Sequence, residues 1–452
     1  MLDFKLSIIL FVFLLAIGGL FVYVDFQETQ EQEKSENIAF NIEEETPSVI
    51  SSATAEEEEI VEEESPFSDQ GEELISQSEI LIGQIKDFIE KEREKLEQVE
   101  AAERRARNAK GIYMTGFVAN SLSGPGNSFR QNLVNLIQET ELNSIVIDVK
   151  EVHGPYMPAS LKNFIEELHQ KNIWVIARIV AFKDSSLIEE NPELYLKSAT
   201  NSTAISSSLW TDYGGGYWLD PASQEAQDYL IEFSKKAIDL GFDELQFDYV
   251  RFPSDGNLSD IIYPFYSYEE KKKHEVMRDF FSKITQSLKE YKPSIILSVD
   301  LFGYVAGQLQ SLEIGQRVID VADNFDYISF MLYPSHFYDG FIIGADSERE
   351  LPALFFKKDS DNIEEIVSSN PYQVVFRSLL SVKDYLASID SEAKLRPWLQ
   401  DFNLKADTDR GIVYDAEKVK AQIQASIDAG TDGWLLWSAA NVYTKEALNP
   451  TP

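Results

Sequence analysis

Eight short runs rich in β-branched and aromatic residues, separated by amphipathic stretches, predict an α/β chain whose main domain is a (β/α)8, or TIM, barrel. The placement of polar residues agrees: they gather toward the C-terminal ends of the runs, the face on which barrel sites are built. An open doubly wound sheet is the main competitor, and no Gly-rich phosphate fingerprint follows the first run.

The runs are Gly111 to Phe117, Ser144 to Lys150, Trp174 to Val180, Glu244 to Phe252, Ile295 to Tyr304, Tyr327 to Pro334, Leu395 to Phe402 and Gly433 to Ala439. Between them lie stretches with helical spacing of apolar residues: Phe129 to Thr140, Ala159 to Lys171, Ala222 to Leu240, Tyr268 to Tyr291 and Ala416 to Ala429. The insertion from Phe337 to Gln373 reads either as a lid or as a surface excursion.

The fourth run carries the most information. Leu245 and Phe247 supply its apolar side chains, and Asp248, Tyr249 and Arg251 follow before Pro253 closes the loop. An ionisable Asp in such a run is costly to bury unless it is paired, hydrogen-bonded or facing a cleft. A salt bridge to Arg251 or a capping role is the bland alternative.

Asp148, Arg178, Asp300, Tyr333, Asp401 and Trp437 stand at the ends of other runs, with Glu151 just beyond the second. Two carboxylates across a cleft can divide the work of glycosidic bond hydrolysis: one protonates the leaving oxygen, the other attacks the sugar carbon or activates water. Asp248 and Asp300 end adjacent strands and are the candidate pair, with Asp401 as a third catalytic acid. Asp148, Glu151 and Arg178 are candidate substrate contacts across the mouth. Tyr217, Trp218, Tyr249, Arg251, Tyr333, Trp398 and Trp437 complete that set, because aromatic faces with flanking acids and Arg suit sugar rings. For Trp398 and Trp437, packing inside the barrel is an equal alternative.

Three further segments precede the barrel domain, 111–452. Residues 1–25 hold an uncharged apolar run, Leu6 to Val24, long enough to span a bilayer, with Lys5 before it and Asp25 and Glu28 after it. An uncleaved signal anchor with the barrel outside the cytoplasm is expected, and secretion after signal cleavage is the alternative. Residues 26–71 form an acidic spacer whose runs Glu43 to Glu45, Glu56 to Glu59 and Glu62 to Glu64 repel one another and favour disorder. Residues 72–110 repeat apolar residues at three- and four-residue steps between alternating charges, which predicts one long helix or coiled-coil stalk that could join copies into a homo-oligomer.

Composition narrows the chemistry. The chain has no cysteine, so thiolate catalysis, disulfides and Cys-zinc sites are excluded. Its four histidines fall in separate segments without zinc-type spacing, and neither a metal nor a cofactor is implied. A formal net charge of −37 disfavours nucleic acid or an anionic membrane surface as the main partner.

The barrel portion resembles a family of glycoside-hydrolase-type domains of bacterial exported proteins. The likeness lies in Gly111-Ile-Tyr-Met-Thr-Gly, Ile145-Val-Ile-Asp-Val-Lys, Val175-Ile-Ala-Arg-Ile-Val, Trp218-Leu-Asp-Pro, Gln246-Phe-Asp-Tyr-Val-Arg-Phe-Pro and Gly433-Trp-Leu-Leu-Trp. It implies a TIM barrel acting on polysaccharide or oligosaccharide. A more distant resemblance to the alpha-amylase family would put the nucleophile on Asp248, the acid/base on Asp300 and a third acid on Asp401. Gln246 departs from that pattern, which has an Arg there, and Asp300 replaces a Glu. A membrane-anchored glycoside hydrolase is the leading expectation. The alternatives are a non-catalytic carbohydrate-binding or envelope scaffold barrel, and an assembly module whose long helix captures a partner.

Overall fold

The computed structural model describes residues 67–200, 208–308 and 313–451. Within it, Leu81–Pro452 is one compact unit. The apolar run Leu6 to Val24 and nearly all of the acidic spacer lie outside the described residues, among which no helix is long and apolar enough to cross a membrane.

Eight parallel strands of the described chain close into a barrel. They are β1 (Ala109–Met114), β2 (Ser144–Glu151), β3 (Trp174–Val180), β4 (Glu244–Asp248), β5 (Ile296–Phe302), β6 (Tyr327–Leu332), β7 (Trp398–Gln400) and β8 (Gly433–Trp437). Each pairs with the next, and β1 also pairs with β8, so Gly111 faces both Ser144 and Leu435. A Cβ at Gly111 would lie 2.5 Å from the Ser144 hydroxyl, so closure at this point needs glycine. The flanking helices are α1 (Phe67–Ala106), α2 (Gly124–Glu139), α3 (Leu161–Gln170), α4 (Gln224–Leu240), α5 (Lys273–Tyr291), α6 (Pro371–Ser388) and α7 (Ala416–Asp428). Two short helices, Gly303–Gln308 and Val318–Ala322, stand where the helix after β5 belongs.

Local chemistry adjusts the expected boundaries. The fourth run stops pairing at Asp248 because Tyr249 turns to a φ of 53°. The seventh divides into Lys394–Leu395 and Trp398–Gln400, because Pro397 has no N–H to give the ladder. Part of the insertion after β6 is an antiparallel hairpin, Phe341–Ile343 with Leu354–Phe356. Helix α6 was not expected from the sequence, although Val374, Val375, Leu379, Val382 and Leu386 bury one face of it.

The core has two layers. One lies between strands and helices and includes Ile145, Val175, Leu245, Leu297 and Ile328. The other fills the barrel itself, with Val146, Trp174, Ile176, Ile296, Tyr327, Trp398 and Leu435. Its floor is ionic. Arg396 Nη1 donates to both oxygens of Glu244 at 2.8 Å, Trp174 donates its indole N–H to Glu244 at 2.9 Å, and Arg396 Nη2 donates to the Ala106 carbonyl at 3.0 Å. Arg105 lies 3.5 Å from Asp243 and over the Trp174 ring. The C-terminal turn of α1 is therefore fixed to the N-terminal face of the barrel, opposite the mouth.

Candidate active site

The register of β2 to β5 assembles the mouth. Asp148 lies opposite Arg178, Arg178 opposite Gln246, and Gln246 opposite Ser298. Two residues further along β4 and β5 come Asp248 and Asp300, side by side on strands that run about 4.8 Å apart. All four ionisable side chains point inward because strand side chains alternate between faces.

Arg178 joins the three acids. Its Nη1 donates to Asp148 Oδ1 at 2.7 Å, its Nη2 donates to Asp248 Oδ2 at 2.5 Å, and its Nε lies 3.9 Å from Asp300 Oδ2. Tyr113 donates its hydroxyl to the second oxygen of Asp148. Trp398 donates its indole N–H to Asp300 Oδ1 at 2.9 Å. The second oxygen of Asp248 accepts the Tyr249 N–H at 2.6 Å, a bond made where the backbone of Tyr249 is left-handed. For a bulky non-glycine residue that conformation is strained, and such strain gathers at functional sites. The Asp148 and Asp300 side chains are each 1% exposed, Asp248 is 7% and Arg178 is 13%, so the cluster opens to solvent over Arg178 and Asp248.

Burial and like charge separate the acids in proton affinity. Burial, followed by the charge on Asp248, pushes the Asp300 carboxyl well above the ordinary carboxylate range, although Arg178 opposes the shift. Burial also raises Asp148 against the pull of Arg178, and raises half-buried Glu151 at the rim, with Asp148 adding to it. Desolvation works against the Arg178 charge, but the surrounding acids, Asp148 first, outweigh it and hold the guanidinium protonated. Among the described residues no three His, Asp or Glu side chains form a metal-ligand group.

An aromatic wall continues from the acids. Tyr333, raised by burial and then by the charges of Asp300 and Asp248, stacks on Trp437 with ring centres 5.6 Å apart. Phe402 meets Trp437 edge-on at 5.2 Å. Beyond Trp437 lies a cleft of about 560 Å³ lined by His336, Asp401, Phe402, Tyr414, Trp437 and Val442. A smaller, apolar slot of about 210 Å³, lined by Phe302, Tyr304, Met331, Tyr333 and Phe337, adjoins it at His336.

Other residues anticipated for the site take different roles. Both oxygens of Asp401 are taken by Thr444, whose N–H and hydroxyl donate at 2.8 and 2.7 Å, so Asp401 borders the cleft without joining the Arg178 cluster. Trp218 and Trp398 were expected to contact sugar, but each is 1% exposed. Trp218 is held by Asp212, which accepts its indole N–H at 3.0 Å, and Trp398 reaches Asp300 from inside the barrel. Arg251 does not pair with Asp248. Its guanidinium packs over Phe302, Trp218 and Tyr249 and donates to the Phe252 carbonyl. Tyr217 packs half-buried on the outer core layer.

A family model described as "Putative glycosyl hydrolase domain" matches residues 111–443, all but the first two residues of the barrel strands and every residue of the acid cluster. The chain belongs to this glycosyl hydrolase family. One solved structure agrees in fold, and two others match at lower TM-scores. The glycoside hydrolase domain of PgaB (BpsB) from Bordetella bronchiseptica matches at a TM-score of 0.51 and 12% identity, over 74% of this chain and 95% of that one. A hypothetical protein from Ruminiclostridium thermocellum is 32% identical over 42% of this chain and 96% of its own, with a TM-score of 0.34. An alpha-galactosidase from Thermus thermophilus, solved with stachyose, is 13% identical over 76% of this chain and 67% of that one, with a TM-score of 0.43. No functionally curated protein matches.

Several residues that shape this glycosyl hydrolase domain were missed in the sequence. Tyr113 reads as an ordinary strand aromatic, yet it holds Asp148. Thr444 lies after the last strand, where no pattern marks it. His336 and Phe402 carry a weak signal, since His336 closely follows the sixth run and Phe402 ends the seventh. Gln246, whose amide donates to Ser329 at 3.2 Å, sits in register with Arg178. At this level of the barrel the guanidinium is carried by Arg178 on β3, not by a residue of β4.

Proposed function

We propose that this glycosyl hydrolase domain cleaves O-glycosidic bonds of a polysaccharide, with Asp300 as the proton donor and Asp248 as the charged partner at the sugar carbon. The observation that carries this is the pair of neighbouring carboxyls on one guanidinium, with Asp300 raised by burial and by the Asp248 charge. A carboxyl that keeps its proton beside a second carboxyl is what acid-assisted glycoside cleavage requires. Asp300 releases its proton to the departing oxygen. Asp248, the more open acid, attacks the anomeric carbon directly or takes a proton from the attacking water. Trp437 and Phe402 offer ring faces to sugar units in the adjoining cleft. Tethering through Leu6 to Val24, with the barrel outside the cytoplasm, belongs to the same proposal. The attachment of α1 to the face opposite the mouth is compatible with it, because a tether on that side leaves the mouth unobstructed.

A binding barrel without turnover is the second reading. The 1% exposure of Asp300 favours it, since a proton donor must reach its substrate. Reducing-end release by the full chain over neutral, amino and acidic glycans separates the two. Release that disappears in Asp248→Asn supports hydrolysis, and near-wild-type release in that variant rejects it. Glycan binding without product, unaffected by Asp248→Asn, supports the binding barrel.

A further inference from the structure

Before α1 reaches the barrel, it exposes an apolar face. Ile82, Ile89 and Leu96 follow one another at seven-residue intervals and are 46%, 57% and 41% exposed. Ile85, Glu92 and Val99 take the positions three residues after each, and Leu81 and Phe88, at 56% and 50% exposed, widen one edge. A seven-residue repeat of this kind tracks a second supercoiled helix rather than a globular surface, whose contacts follow the 3.6-residue turn. The helix cannot turn this face onto its own barrel, because its last turn is held by the contacts of Arg105 and Ala106.

We infer that this face pairs with the same face of a second copy of the chain, in a parallel two-stranded coiled coil beginning at Leu81. The charges beside the seam select the copy and its direction. In parallel register Lys95 stands beside the seam facing Glu100 of the second copy, an attractive pair. In antiparallel pairing of the same seam Glu100 faces Lys86 instead, but Arg93 then faces Arg93 of the second copy, a repulsion that parallel pairing avoids by setting Arg93 beside Phe88. Glu92 is the one acid within the seam. In the single chain its carboxylate is held by Lys95 at 2.5 Å, and in the pair it trades stability for a fixed register. Parallel stalks rising from equivalent barrel floors leave both mouths open at the far ends.

The chain has no cysteine, so single substitutions report contacts without background. Ile82→Cys, Leu96→Cys and the outward-facing Glu94→Cys would be made in the full-length protein and oxidised mildly in its host membranes. The expected result is a disulfide-linked species of twice the chain mass at Ile82→Cys and at Leu96→Cys, with at least tenfold less at Glu94→Cys. Adding Glu92→Leu should raise the Leu96→Cys yield, and adding Ile85→Asp with Ile89→Asp should lower it about tenfold while glycan release or binding stays unchanged. The proposal is overturned by cross-linking only between co-expressed Ile82→Cys and Leu96→Cys chains, which would mean antiparallel pairing. It is also overturned by equal yields at Glu94→Cys, by adducts of another mass, or by none.

Discussion

The indole N–H of Trp398 donates to Asp300 Oδ1 across 2.9 Å, and both side chains are 1% exposed. The acid is therefore supported from within the barrel by β7, while Arg178 stands 3.9 Å from its other oxygen. A hydrogen bond to a carboxyl oxygen favours the ionised form, so Trp398 works against the burial that keeps Asp300 protonated.

Replacing that support should therefore move a titration in a known direction. Trp398→Phe keeps an aromatic ring and deletes the N–H. The Asp300 carboxyl then rises further, and the alkaline limb of kcat/KM moves to higher pH. Turnover falls about tenfold, the equivalent of roughly 1.4 kcal/mol, within the range for an ordinary intramolecular hydrogen bond. A pH–rate profile with the limb unmoved would remove Trp398 from any positioning role.

Asp300 also makes folding stability depend on pH. Its folded-state affinity for a proton is raised, so the folded chain binds that proton more tightly than the unfolded chain does. Its contribution is complete below the unfolded carboxyl pKa of about 4 and is lost as pH rises from there through the raised folded value. Asp300→Asn should flatten that part of the stability curve and be relatively more stable on its alkaline side. Urea unfolding at a series of pH values measures it; parallel curves for the two proteins would mean that Asp300 is ionised throughout.

The barrel was legible because its strands are short, bounded and rich in β-branched residues, and because polar residues at strand ends mark one face. Asp148, Arg178, Asp248 and Asp300 could be found on that logic alone. Which aromatics face sugar could not. Trp398 and Trp437 look alike in sequence, and they differ only in whether the strand has already left the packed interior. Trp398 opens the paired segment that follows Pro397, level with buried Leu435 and so inside the barrel, whereas Trp437 ends β8 at the rim. The ionic floor was equally hidden, since Glu244 and Arg396 are 152 residues apart and meet only through barrel closure.

Trp437 should then behave as a binding residue. Its ring is partly exposed, backed by Tyr333 and Phe402, and borders the cleft away from the acids. Trp437→Ala removes a stacking surface that ground state and transition state use equally. KM should rise about tenfold or more with kcat within about twofold, the signature of lost uniform binding. An equal fall in kcat and kcat/KM would place Trp437 in the chemistry instead.

Two arginines, Arg396 in the floor and the partly exposed Arg178 at the mouth, allow structural and functional ionic contacts to be told apart. Arg396 and Glu244 are both 0% exposed on the floor, and Arg178 carries three acids at the mouth. Removing one partner of a buried pair costs about 3–5 kcal/mol, because the other charge is left uncompensated. Arg396→Met should cost about that much in denaturant unfolding, yet leave kcat/KM of the folded protein unchanged, since the floor lies a full strand length from Asp248. Arg178→Met should cost less in stability, because Asp148 and Asp300 are already raised toward their protonated forms and can neutralise without help. Its activity should nevertheless fall by at least a hundredfold, as Asp248 loses the donor that aims it. If Arg178→Met were the less stable protein and Arg396→Met the less active one, the division between floor and mouth would be reversed, and with it the assignment of the acid pair.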